Sequence, residues 1–388
     1  MQRELCNLGN GKEMRHYVKY LPFHKLYNAS RDRREIIAAS EYGFQVIVFS
    51  ADKPNSINNI DGVDVAIFDG EIDVTYSIPK IKRIPLIIKN FATIVAKTRR
   101  INAEVFSCHD IMALLFCWIS NFGRLKKIKL IYDSHELEIG RNTNGRRKKV
   151  EAVIIERIER YLMKRSAFTI IPCESAAEML QNRYRLKNKP VVVRSTPPLW
   201  NLDYDRTRTT RCELLKNIDN SENDFIIMYH GIVGKGRGIE YVLDAMRFLT
   251  GVVFVVLGNG DDYYLQELKQ LTRTYEIGNK VLFHKAVSIE ELRHFVSAAD
   301  CGMVNIQNVS MSYYFASPNK LFENIQAEVP VIASDFPELE KIVNKYNIGV
   351  LCKPDDPELI ANAIKPMMED KEKYKLFKDN LKNARKEL

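Results

Sequence analysis

Short runs rich in β-branched residues, each followed by a stretch of helical periodicity, constrain this chain more than any other feature. In the first half the runs are "FQVIVFS" (44–50), "VDVAIF" (63–68), "AEVFSC" (103–108), "IKLIYDS" (128–134), "FTIIPC" (168–173) and "PVVVRS" (190–195). Helical patterns lie between them at 31–42, 110–122, 151–165 and 174–184. Strands alternating with helices predict βαβ units and a parallel sheet. "STPPLWN" (195–201) interrupts the pattern, and a polar, strand-free segment runs to Asn223. The alternation then restarts with "DFIIMYHG" (224–231), "VVFVVLGNG" (252–260), "KVLFHKA" (280–286), "CGMVNI" (301–306), "PVIASD" (330–335) and a last strand near 349–352.

The expected fold class is therefore α/β, with two Rossmann-like doubly wound domains in series facing across a cleft. Residues 1–199 form the first domain and 200–365 the second; a Lys-rich helix, 366–388, is expected to pack back on the first. A chain of 388 residues exceeds one ordinary core, which agrees with two domains. Open α/β sheets bind ligands outside the carboxyl ends of their strands, so the cleft is the expected site.

Seven scattered cysteines without a CxxC pair predict a reducing compartment, no disulfide framework and no zinc knuckle. The start of the sequence has no secretory pattern. The longest apolar runs, "IMALLFCWI" and "IPLIIKNFATIVA", fall short of a membrane span. These features together predict a cytoplasmic protein. Charge is divided unevenly: residues 1–200 carry 34 Lys+Arg against 21 Asp+Glu, or +13, and the remainder carries 24 against 28, or −4. A first half this basic is expected to meet something anionic.

Two stretches of the second half point to chemistry. "YHGIVGKGRGIEYVLDAM" (229–246) sets Gly231 and Gly234 after a strand, with Lys235 and Arg237 before a helix. Free backbone amides and cations at such a turn suit a phosphate. A solvated glycine turn explains the pattern equally well, and "LGNGDD" (257–262) reads as a structural turn. In "SPNKLFENIQAEVPVIASD" (317–335), Lys320 and Glu323 are three apart and share one face of a helix. Such a pair can be a local salt bridge worth a few tenths of a kcal/mol, or two arms of a ligand site.

The order and spacing of "GIVGKGRG", "VLGNGDDYYLQEL", "VSIEELRHFVSAADCGM" and "SPNKLFENIQAEVPVIASD" resemble the nucleotide-sugar-binding domain of glycosyltransferase family 4, over roughly residues 225–365. "VFSCHDIMALL" (105–115), "LIYDSHELEIGR" (130–141) and "IIPCESAAEML" (171–180) extend the likeness into the first half. The resemblance implies the GT-B fold and a retaining transfer from a nucleotide sugar, a UDP-sugar foremost, to a glycan or lipid-linked acceptor. By the same resemblance Glu323 holds the ribose hydroxyls, and Arg237, with Lys235 as competitor, clamps the diphosphate together with Lys320. Ser317, Asn319 and Leu321 belong to the donor side. His109 faces the reacting sugar, and His135 and Glu136 shape the acceptor side. The first glutamate of the family's Glu-x7-Glu pattern falls at Phe315, so this chain departs from the pattern where the donor sugar is held.

No metal or other cofactor is expected. The only DxD string, "DYD" (203–205), follows no strand. "KIKRIPLIIKNFATIVAKTRR" (80–100) carries seven Lys/Arg and no acid, which predicts a helix lying on an anionic membrane face, against the commoner reading of a helix covering the sheet. Two other functions fit less well. A nucleotide-sugar epimerase of the same fold would want a carboxylate where Phe315 stands. A non-enzymatic binder of anionic polymer or nucleic acid would interleave aromatics, not aliphatics, with its basic residues.

Overall fold

The computed structural model describes residues 15–22, 26, 30–52, 59–69, 80–135, 137–141, 149–216, 218 and 224–388, with side chains from Ile88 onward in the helix that begins at Lys80. Two compact units divide the chain. The main boundary falls between Val193 and Arg194, a few residues before the expected one, and the second unit also takes in the short stretch Cys173–Ala176.

The first unit contains strands β1 (His16–Leu21), β2 (Gln45–Ser50), β3 (Asn59–Ile60), β4 (Val63–Asp69), β5 (Val105–Cys108), β6 (Lys129–Asp133), β7 (Phe168–Ile171) and β8 (Val191–Val192). Its helices are α1 (Ser30–Glu41), α2 (Lys80–Arg99), α3 (Ile111–Ser120), α4 (Lys149–Met163) and α5 (Glu174–Tyr184). The sheet order is β3-β4-β2-β1-β5-β6-β7-β8, parallel except for the β3–β4 pair. Strand order reverses between β1 and β5, and there β1 Lys19 lies in register with β2 Val48 and β5 Ser107.

The second unit contains α6 (Tyr204–Lys216), β9 (Phe225–His230), α7 (Ile239–Ala245), β10 (Val252–Leu257), α8 (Asp262–Thr274), β11 (Val281–His284), α9 (Ile289–Ser297), β12 (Cys301–Val304), α10 (Met311–Tyr314), α11 (Asn319–Gln326), β13 (Val331–Ser334), α12 (Pro337–Tyr346), β14 (Gly349–Cys352), α13 (Pro357–Glu369) and α14 (Lys371–Glu387). All six strands run parallel in the order β11-β10-β9-β12-β13-β14. Strand β10, "VVFVVL", is buried along its whole length, as a parallel strand covered on both faces must be. The reversal falls between β9 and β12, and the β9–β10 register places His230 opposite Leu257 at the carboxyl edge.

Three expectations need correction. Strand β1 lies outside the predicted set, because a lysine sits in the middle of its six residues. The segment read as a linker contains α6, whose Thr210, Leu214 and Leu215 are buried; "DYD" starts this helix, with Asp203 capping the Arg206 amide. The C-terminal helix α14 packs within the second unit: Phe377, Leu381 and Ala384 enter its cores, and Arg385 pairs with Glu328 at 2.6 Å.

Among the described residues no helix is long and apolar enough to cross a membrane. The described cysteines, 108, 117, 173, 212, 301 and 352, are free.

Candidate functional site

In the second unit, two glycine turns meet at the carboxyl edge of the sheet. Val233 and Gly260 form an isolated parallel bridge, with the Val233 amide on Asn259 O at 2.9 Å. Gly258 and Gly260 are needed there because a Cβ on either would collide with the backbone of Gly231 or Val233. The "LGNGDD" turn thus buttresses the "GIVGKGRG" turn. Gly238, at φ +69°, enters α7 against Asn305, whose amide donates to Gly238 O (3.1 Å) and Pro354 O (3.0 Å).

The loop sends its two cations apart. Lys235 is 73% exposed, lies 3.5 Å from Glu267 and stands over the Tyr264 ring. Arg237 instead lies over the Tyr313 ring at 4.9 Å and close enough to Lys320 for mutual repulsion. Lys320 is only 8% exposed, on the first turn of α11, with its ammonium 3.6 Å from the centre of the Tyr229 ring. Neither Arg237 nor Lys320 makes an ion pair with a carboxylate among the described residues. Burial first, then the nearby guanidinium, pushes the Lys320 ammonium well below its ordinary range, while Glu323 pulls weakly the other way. Two basic side chains held on aromatic faces, neither paired with a carboxylate among the described residues, are chemically suited to an anion.

Glu323 lies one turn further along α11 and accepts from His230 Nε2 at 2.8 Å. This pair joins the carboxyl end of β9 to α11 at the point where strand order reverses. The Lys320–Glu323 pair is accordingly no local salt bridge: the carboxylate is engaged by His230, and the ammonium by an aromatic ring. Ser317 Oγ is buried without a hydrogen-bond partner among the described residues, while Asn319 is exposed at the start of α11. Leu321 behaves differently from its neighbours, with its side chain in the core and its amide on Pro318 O (3.0 Å). Gly231, at φ +115°, and Gly234 line the turn itself. Phe315 closes α10, its ring edge-on to Tyr314.

In the first unit, the sequence-predicted His109 and His135 come together, with ring centroids 3.9 Å apart. They stand on a buried charge cluster that the sequence reading missed. Lys19, fully buried, contacts Asp32 (2.8 Å), Asp133 (3.1 Å) and Glu35. Asp32 Oδ1 also meets His109 Nδ1 (3.1 Å) and His135 Nε2 (3.5 Å). Asp133 receives Arg31 (2.6 Å) and His135 Nε2 (3.0 Å). Glu35 further accepts from Tyr17 and Ser107. Burial opposes ionisation of Asp32 and Asp133, but the Lys19 ammonium together with the histidine hydrogen bonds, and Arg31 for Asp133, holds both well below the carboxylate range. Burial also works against the His135 imidazolium, and hydrogen bonds to Asp133 and Asp32 overcome it, so its pKa is raised. Lys19 and Arg31 against three carboxylates leave one negative charge, which favours the charged form of His135. Asp32, His109 and His135 have ligand atoms close enough to hold a metal ion, yet Lys19 already supplies a cation to Asp32. Glu136 lies outside the described residues.

Two doubly wound domains in series are the architecture of the GT-B glycosyltransferases. Two family models match in tandem: one described as Glycosyltransferase Family 4 over residues 36–196, and one described as Glycosyl transferases group 1 over residues 211–384. The chain belongs to the family 4 glycosyltransferases, and it is a transferase. An uncharacterized glycosyltransferase of Methanocaldococcus jannaschii is 23% identical over 306 residues, covering 77% of this chain and 71% of the relative. The probable glycosyltransferase WbjE of Pseudomonas aeruginosa is 22% identical over 155 residues, 39% of this chain and 38% of WbjE. Among solved structures, Anabaena HepE in complex with UDP superposes with a TM-score of 0.71 at 16% identity, over 96% of this chain and 95% of HepE. Sucrose-phosphate synthase of Thermosynechococcus elongatus does so with a TM-score of 0.73 at 18% identity, over 97% and 95%. At these identities the likeness establishes the fold.

Proposed function

We propose that this glycosyltransferase takes its sugar from a nucleoside diphosphate donor, a UDP-sugar foremost, and delivers it with retention to a glycan or lipid-linked acceptor in the synthesis of a bacterial surface polysaccharide or glycoconjugate. The observation that carries the reading is the Arg237–Lys320 pair, buried or half-buried on tyrosine rings with no carboxylate between them. Departure of the diphosphate concentrates negative charge on phosphate oxygens, and fixed cations stabilise it as it develops. Glu323, held by His230, takes the ribose hydroxyls without adding an anion beside the phosphates. HepE has been solved with UDP and with UDP-glucose, which supports a uridine nucleotide here.

In the retaining step we favour, the acceptor oxygen bonds to the anomeric carbon on the face the diphosphate leaves. The C–O electron pair stays with the phosphate, and the acceptor proton passes to a phosphate oxygen. No metal takes part, because the two cations supply the charge. His109 and His135, at the strand ends of the first unit, serve the reacting sugar and the acceptor.

Docking on an anionic membrane face from the cytoplasmic side completes the proposal, with one shift of position. In the described half of α2, Ile94 and Thr98 are buried and Phe91 packs on Phe116 at 5.0 Å, so this face covers the fold. Ile88 of α2 is exposed, and among the described residues an exposed apolar stripe lies on α4, where Val150, Val153, Ile154 and Tyr161 recur at helical spacing beside Arg157, Arg160 and Lys164.

UDP should raise the melting temperature and a single-stranded oligonucleotide should not. A panel of radiolabelled nucleotide sugars with a membrane extract should label an acceptor, equally well in EDTA. If neither UDP nor GDP moves the melting temperature, the nucleotide-sugar reading fails.

A further inference from the structure

We infer that His230 is a positioning residue for donor recognition, acting through Glu323 on the ribose; the inference rests on the donor reading above. His230 is 2% exposed at the carboxyl end of β9, where the strand order reverses. Its Nε2 lies 2.8 Å from Glu323 Oε2, and among the described residues its buried Nδ1 meets no hydrogen-bond partner. The tautomer that fits carries its proton on Nε2, because a proton on Nδ1 would be a buried donor without an acceptor. A directed N–H therefore pins one oxygen of the Glu323 carboxylate.

The geometry explains why a glutamate on α11 needs help. Glu323 is 21% exposed, and Lys320, the one residue of opposite sign on the same helix, is turned to the Tyr229 ring. A carboxylate that accepts from two adjacent hydroxyls must hold one plane. His230 fixes that plane from the strand, across 93 residues of sequence. Its ring reaches the ribose only through Glu323, so its effect should depend on the ribose hydroxyls and not on the phosphates.

The test is a binding cycle by calorimetry, with UDP and 2′,3′-dideoxyuridine diphosphate as probes on wild type, His230→Leu and His230→Gln. Wild type should prefer UDP. His230→Leu should weaken UDP roughly tenfold, the scale of one hydrogen bond to a charged group, and leave the dideoxy probe unchanged. His230→Gln, which keeps a donor, should recover part of the loss. Equal weakening of both probes, at unchanged melting temperature, overturns the inference and leaves the donor reading intact. A wild type that binds both probes alike overturns the ribose role of Glu323 itself, and the inference with it.

Discussion

Lys320 concentrates the electrostatics of the proposed donor site in one residue. An ammonium placed against a tyrosine ring and a guanidinium, away from water, is costly until an anion arrives. Burial and the Arg237 guanidinium hold its pKa well below the ordinary lysine range, and a diphosphate beside it would favour the charged form. Donor affinity should then fall as pH rises above the depressed value. UDP affinity measured against pH reads this fall, and Lys320→Met should remove the part that Lys320 contributes. Lys19 is the opposite case: its ammonium is raised well above its ordinary range because burial is outweighed by Glu35, Asp133 and Asp32. Lys19→Met leaves those carboxylates without their common cation and should cost about 3–5 kcal/mol in denaturant unfolding. A loss under about 1 kcal/mol would show that the cluster contributes little to stability.

At the scale of elements, the site depends on how closely α11 lies on β12. Gly302 of β12 faces Asn324, the residue after Glu323, and a Cβ there would enter the space of the Asn324 amide. Asn324 is fully buried and donates to Lys320 O at 2.7 Å, so it cannot swing away without loosening the first turn of α11. Gly302→Ala should therefore lower stability by about 1–3 kcal/mol and weaken UDP binding, although Gly302 has no side chain to offer a ligand. Unchanged UDP affinity in a destabilised Gly302→Ala protein would separate the packing from the site. The same scale shows what the sequence could and could not reveal. Strands β9 to β14 were legible because runs such as "VVFVVL" leave no alternative to a buried strand. Strand β1 was not, since Lys19 interrupts it, and its reason for being there lies on α1 and β6. Helix α6 was hidden by its Arg and Thr content, with only Leu214 and Leu215 marking the buried side.

For the whole molecule, the motif residues Arg237, Lys320 and Glu323 were readable because one helix start and one loop carry them. Their partners were not, because Tyr229, Tyr313 and His230 meet them only in the folded sheet. The first-unit cluster draws Lys19, Asp32, Glu35 and Asp133 from three elements, and no local spacing announces it; a lysine inside an otherwise apolar strand was the one available signal. The proposed substrate rests on the Arg237–Lys320 pair in the second unit. Calorimetric titration of UDP into wild type and into Arg237→Ala/Lys320→Met tests this most directly. The account predicts saturable binding by wild type and a loss of about 100-fold or more in the double variant. Equal UDP affinity in the two proteins would contradict it.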